Sequence, residues 1–343
     1  MLPYMTDDLP GIGGELKAEP SHFVVEEIPL YEPEGEGEHI YISLRREGQT
    51  TRQIQMELCR IFDLNDAAVG CAGLKDKHAR TTQTFSLHMP GDEQEVADRI
   101  QQEMNVELLS SKRHQNKLRT GHLIGNRFTI VVVDVKDDAL AIAERIASQL
   151  NESGLPNFYG EQRFGRDGQN ATTGREIING RRVRKHWLRK LMLSAYQSQL
   201  FNEWLVARIE RGWFGKILEG DVARKEDTGG MFTVEDVEAE QARFENREIA
   251  FTGPIFGKKM RKALGMSGDL EEEILAREEV TLEQFSKARV NGTRRRACLF
   301  LDDLAFSRHP EGLSFSFSLP KGSYATTLMR EFMKTELELP ESE

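Results

Sequence analysis

Asn126-Arg127-Phe128-Thr129-Ile130-Val131-Val132-Val133-Asp134-Val135 leads into an amphipathic pattern from Ala139 to Leu150 and then into Asn151-Glu152-Ser153-Gly154-Leu155-Pro156. The first run is rich in β-branched residues and reads as a strand. The second has helical spacing, and the third has the composition of a linker. Upstream, strand and helix patterns interleave. Phe23 to Ile28 and His39 to Leu44 have strand character, with a Gly35-Glu36-Gly37-Glu38 turn between them. Thr51 to Phe62 reads as a helix with Ile54, Leu58, Ile61 and Phe62 on one face. Val69 to Leu74 leads into a polar loop, Thr82 to Met89 returns as a strand, and Glu93 to Met104 reads as a helix. Beyond the linker helical segments prevail, the strongest from Val183 to Ile209. Sheet-like residues resume at Ala297 to Phe306 and Leu313 to Leu319, before a helix from Tyr324 to Lys334. The expected fold is α+β, a sheet domain interrupted by an insertion and then resumed.

The length of 343 residues favours two domains. Apolar residues at 38% and charged residues at 30% suit packed cores in a water-exposed protein. No apolar run approaches the roughly 20 residues that span a bilayer, and Met1 to Asp8 lacks the basic start and apolar stretch of a signal peptide. A cytoplasmic location is expected. Cys59, Cys71 and Cys298 are scattered, and the eight histidines form no HExxH, so no metal site is indicated.

A net charge of −10 argues against generic nucleic-acid binding, but the charges are segregated. Base concentrates at Lys112, Arg113, Lys117 and Arg119, at Arg181, Arg182, Arg184, Lys185, Arg189 and Lys190, and at Lys287, Arg289 and Arg294 to Arg296. These runs fit one basic surface on an acidic body, or three solvated faces.

Gly73-Leu74-Lys75-Asp76-Lys77-His78-Ala79-Arg80-Thr81-Thr82-Gln83 places one aspartate among four basic neighbours. Nearby cations favour an ionised carboxylate. Such a loop serves an anionic nucleophile or base beside a polyanion, and it equally describes a surface ion network. In Gly125-Asn126-Arg127-Phe128, the amide and the ring lie two apart and share a strand face. They suit hydrogen bonding and stacking on a nucleobase, or an edge asparagine beside a core phenylalanine. Asn157-Phe158-Tyr159-Gly160-Glu161-Gln162-Arg163-Phe164-Gly165 is an aromatic, glycine-punctuated turn with a purely structural reading of its own.

Together these stretches resemble the tRNA pseudouridine synthase D (TruD) family. Lys17-x-x-Pro20-x-x-Phe23-x-Val25-x-Glu27 near the start and Leu319-Pro320-Lys321-Gly322-Ser323-Tyr324-Ala325-Thr326-Thr327 near the end extend the match in order over almost the whole chain. Tyr159 departs from the family's usual phenylalanine. The resemblance implies a catalytic sheet domain formed by residues 1–153 and 305–343. An α/β TRUD domain, residues 154–304, is inserted in it, in a V with a basic cleft between. It implies isomerisation of uridine at position 13 of tRNA, without cofactor or metal; a monomer is the default expectation. Asp76 is then the catalytic carboxylate and Lys17 its supporting cation. Phe23, Asn126, Phe128 and Tyr324 line the uridine pocket, and Lys75, His78, Arg80, Lys117, Arg119 and Arg163 touch the RNA. Glu26 and Glu27 are read as structural. The alternatives are a tRNA-binding protein without catalysis and a nucleoside hydrolase that releases free uracil.

Overall fold

A computed structural model describes residues 2–16 and 18–335. Lys17 therefore lies outside the described residues. The chain forms two compact units, Gly11–Glu144 with Asp303–Ala325 and Phe332–Glu343, and Met1–Pro10 with Arg145–Asp302 and Thr326–Glu331.

The first unit is built on β1 (Gly13–Leu16), β2 (Phe23–Pro29), β3 (His39–Arg46), β4 (Val69–Cys71), β5 (Arg80–His88), β6 (Glu107–His114) and β7 (Leu123–Val135), with α1 (Thr51–Phe62) and α2 (Glu93–Glu103); α3 (Ala139–Ser153) starts in this unit and passes into the second at Arg145. Thr50 starts α1 with a reciprocal cap, its hydroxyl accepting from Gln53 N at 3.1 Å while Gln53 Oε1 accepts from Thr50 N at 2.7 Å. Ile54, Leu58, Ile61 and Phe62 of α1 bury against Ile40, Ile42 and Leu44 of β3 and against Phe85 and Leu87 of β5, with Val96 and Ile100 of α2 closing the same cluster. Burying each such side chain is worth about 1.5–3 kcal/mol.

After α3 the second unit continues with β8 (Leu155–Pro156), α4 (Gln169–Ile178) and α5 (His186–Glu210). An antiparallel sheet follows, β9 (Val222–Lys225), β10 (Met231–Thr233), β11 (Ile249–Ile255) and β12 (Thr293–Arg296) in the order β10-β9-β11-β12. Around it lie α6 (Val237–Glu245), α7 (Gly265–Arg277) and α8 (Leu282–Lys287), and β13 (Cys298–Leu299) pairs with β8. Phe201 and Trp204 of α5 meet Phe251 and Phe256 in this core.

The chain returns to the first unit as β14 (Ala305–His309) and β15 (Gly312–Pro320), followed by α9 (Ala325–Met333). The resulting sheet runs β14-β15-β7-β2-β5-β3-β6, with β1 added to β7 and β4 to β5. All its pairings are antiparallel except β2 with β5. The strand β6 was not anticipated. Its sequence, Glu-Leu-Leu-Ser-Ser-Lys-Arg-His, is polar because it lies at a sheet edge, where charge discourages further pairing.

Candidate active site

Strand register assembles a row of polar side chains on the α1 face of the sheet. Glu27 of β2 stands opposite Asn126 of β7, and Asn126 opposite Leu319 of β15. Gly125 permits that closeness, since a Cβ there would lie 2.2 Å from Leu319 O. The parallel ladder between β2 and β5 ends at Glu26 and Thr82. One residue on, a side chain continues it: Glu27 Oε2 accepts from Thr84 N at 3.1 Å.

The loop between β4 and β5 is pinned to this row on both sides of Asp76. Gln83 Nε2 donates to Gly73 O at 2.7 Å, and Lys75 N donates to Thr51 Oγ1 at 2.9 Å. Lys75 Nζ reaches Glu27 Oε1 at 2.7 Å and Asn126 Oδ1 at 3.0 Å, with the Lys75 and Glu27 side chains only 6% and 5% exposed. Past Asp76, Gly48 N donates to Lys77 O at 3.0 Å. Asp76 is half-buried, and its Oδ1 accepts from His78 N at 3.0 Å, a turn that orients the carboxylate from within the loop.

Behind the loop, Gln83 Oε1 accepts from Arg46 and from Thr51 Oγ1, each at 3.0 Å. Burial pushes the Arg46 guanidinium down to about 10, against the pull of Glu27, which raises it. Arg80 points elsewhere and pairs with the exposed Glu47. The basic neighbours of Asp76 thus divide. Lys75 is spent inside the fold and Arg80 on a surface partner, while Lys77 and His78 stay half-buried beside the carboxylate.

Lys75 was expected to touch RNA; its enclosure with Glu27 makes it a support for the loop instead. Glu27, set aside as structural, is the anion that holds it. Thr51, Arg46 and Gln83 complete the support and were not singled out. The signal for Glu27 was present: it continues the apolar face of Phe23 and Val25 at period two, where a carboxylate needs a partner.

The aromatic residues are more enclosed than a stacking role suggests. Phe23 and Phe128 are 5% and 7% exposed. Their rings meet edge-on at 6.3 Å, and Phe128 stacks on Phe317 at 5.4 Å. Both are core residues first. Tyr324 is half-buried and follows Pro320, which pairs with Gly125 beside Asn126, so it enters at the Asn126 end of β7.

Lys117 is half-buried, with Nζ donating to Ala67 O at 2.5 Å, and Arg119 is exposed. Arg163 belongs to the second unit, where Ser194 and Ser198 of α5 hold its guanidinium, 5.7 Å from the Tyr159 ring. The arginine run at β12 is also structural. Arg294 pairs with Glu271, both enclosed. Arg295 lies 3.9 Å over the Tyr159 ring and donates to Asn157 Oδ1 at 2.7 Å, and Arg296 pairs with Glu226. On the opposite face of the first unit's sheet a hollow of about 280 Å³ borders Glu27, with Tyr31 bonded to Tyr41 at 3.2 Å and to His122 at 2.9 Å on its wall.

Fold and site describe an α+β protein with a braced loop that holds one half-buried carboxylate, Asp76. The family model for tRNA pseudouridine synthase D (TruD) matches residues 1–185 and 181–332. A tRNA pseudouridine synthase D of Thermus thermophilus is 44% identical over 97% of this chain and 92% of its own. One from Anaeromyxobacter dehalogenans is 43% identical over 99% and 98%. A crystal structure from Methanosarcina mazei, described as a putative tRNA pseudouridine synthase D, superposes with a TM-score of 0.77 over 97% of this chain and 96% of that one; at 24% identity it bears on the fold alone. The chain belongs to the tRNA pseudouridine synthase D family. Among the described residues no helix is long and apolar enough to cross a membrane.

Proposed function

We propose that Asp76 is the carboxylate with which this chain isomerises uridine to pseudouridine in tRNA, at position 13. The observation that carries this reading is the pinning of the loop at Gly73, Lys75 and Lys77 around Asp76. A group that must meet one ribose carbon needs its backbone held to within about half an ångström.

A stacked uridine hides its glycosidic carbon, so it leaves the stack first, at a cost of a few kcal/mol. Stacking on Tyr324, in a pocket that Phe128 and Phe23 also line, returns about 1–3 kcal/mol. Asp76 then cleaves the N1–C1′ bond by one of two routes, attack on C1′ or removal of the 2′ proton. The freed uracil turns and C5 bonds to C1′, displacing the Asp76 oxygen in the first route or adding across the C1′=C2′ double bond as C2′ regains its proton in the second; the C5 proton then leaves and N1 takes one up. Atoms and electrons balance within the nucleotide, and no oxidant or hydrolytic water enters. Water must stay out while the base is detached. Lys17 takes the role of supporting cation that the family resemblance implies, and Asn126 serves as a contact to Lys75 and the nucleotide. His78, Arg80, Lys117, Arg119 and Arg163 complete the RNA contacts. The chain acts in the cytoplasm as a monomer, with residues 1–153 and 305–343 catalytic and 154–304 inserted.

Chromatography of digested product tests the reading. Pseudouridine with no released uracil supports it, whereas free uracil would mark a hydrolase. Uridine deuterated at C2′ separates the routes, since only proton removal is slowed by the isotope.

A further inference from the structure

We propose that the turn between α4 and α5, with the first turns of α5 and the end of α8, is an RNA-binding surface that grips phosphates with arginines and stacks one base on Trp187. It rests on tRNA being the substrate. Arg181-Arg182-Val183-Arg184-Lys185-His186-Trp187-Leu188-Arg189-Lys190 holds six Lys or Arg and no acid in a chain of net charge −10. An open groove of about 630 Å³ lies along it, walled by Arg181, Arg182, Arg184, Arg189 and Lys287.

The groove is braced, and its charge is left over. Gln284 Nε2 donates to Asn179 Oδ1 at 2.9 Å, tying α8 to the turn, and Arg189 donates to Ala288 O at 2.7 Å. Arg181 pairs with Glu176 and Lys287 with Glu283. Arg182, Arg184, Lys185 and Lys190 are exposed and make no ion pair among the described residues. They crowd the start of α5, where Lys185 is the N-cap, gives no side-chain cap bond, and no acid occupies the first turn. A helix N-terminus is already the positive end of the dipole, so this arrangement is unfavourable until an anion arrives.

Trp187 supplies the second observation. It is 64% exposed, and it is the one Trp, Phe or Tyr in the exposed class among the described residues. Leu191, one turn on, shares its helix face and is also exposed. An aromatic platform set in a cationic strip is what an unpaired nucleotide requires, a ring for the base and charge for the backbone.

The test uses the full-length chain and a tRNA transcript, with affinity followed across a KCl series. Arg182→Glu/Arg184→Glu should weaken binding about 10-fold or more and lower the salt slope by about 2, near the 0.7–0.9 expected per lost phosphate contact. Trp187→Ala should weaken it about 5- to 150-fold with the slope nearly kept. In both, the loss in kcat/KM should fall on KM. Affinity and slope unchanged in both variants would overturn the proposal. So would a loss of binding to phosphatidylglycerol vesicles with tRNA affinity intact, which would make the patch a membrane contact. A wild-type chain that bound tRNA through this patch yet formed no pseudouridine would support the surface and remove the functional reading instead.

Discussion

Lys75 Nζ and Glu27 Oε1 meet at 2.7 Å inside the fold, and the residue next to Lys75 is Asp76. The pair fixes the carboxylate's backbone while leaving the carboxylate itself half-buried. Removing one partner of an enclosed pair strands the other charge and costs about 3–5 kcal/mol. Lys75→Met and Glu27→Gln should each lose about that much in urea unfolding, and Lys75→Met/Glu27→Leu should lose less than their sum. If Lys75 instead gripped phosphate, Lys75→Met would keep its stability and flatten the salt dependence of tRNA binding.

Thr51 Oγ1 accepts from Lys75 N and donates to Gln83 Oε1. Thr51→Val keeps the shape and takes the acceptor from Lys75 N, while Gln83 Oε1 keeps Arg46, at about 1–3 kcal/mol. The loop then loses its brace, so kcat should drop while tRNA Kd stays within a few-fold. Steady-state kinetics beside a binding titration reads both. A fall in affinity at constant kcat would place Thr51 on the binding surface.

Tyr324 and Phe128 should separate by experiment. Tyr324→Ala should lower kcat/KM about 5- to 150-fold with little change in stability, and Tyr324→Phe should restore most of it. Phe128→Ala opens a cavity against Phe23 and Phe317 and should cost about 3–5 kcal/mol. Equal stability losses at the two positions would contradict this division.

Arg294 neutralises the enclosed Glu271. Arg294→Ala should destabilise the chain by about 3–5 kcal/mol and leave the salt slope of tRNA binding alone. Burial already raises the Glu271 carboxyl, with Arg294 opposing the rise. Without Arg294 the folded-state value climbs further above the unfolded one, so the folded state binds the proton more tightly. The deficit against wild type should therefore shrink as pH falls from about 7 to about 5. A deficit that widens on acidification would exclude Glu271 as its source.

Much of the fold is legible in the sequence. The α1 helix was legible from Ile54, Leu58, Ile61 and Phe62, and β7 from its β-branched run, because both follow one strong periodicity. Asp76 stood out by its neighbours. What stayed hidden depends on register and direction. Nothing local says that Lys75 turns inward while Asp76 does not, or that Glu27 lands opposite Asn126. Arg294, Arg295 and Arg296 read as one cationic patch, yet three separate acceptors in the fold take them up.

The most direct measurement is release of tritium from tRNA carrying 5-³H-uridine, since forming the C5–C1′ bond expels that hydrogen. Wild-type chain should release it from one uridine per tRNA, and Asp76→Asn should be slower by at least about 10⁴-fold while binding the same tRNA within a few-fold. Release by Asp76→Asn at the wild-type rate would contradict the assignment of Asp76.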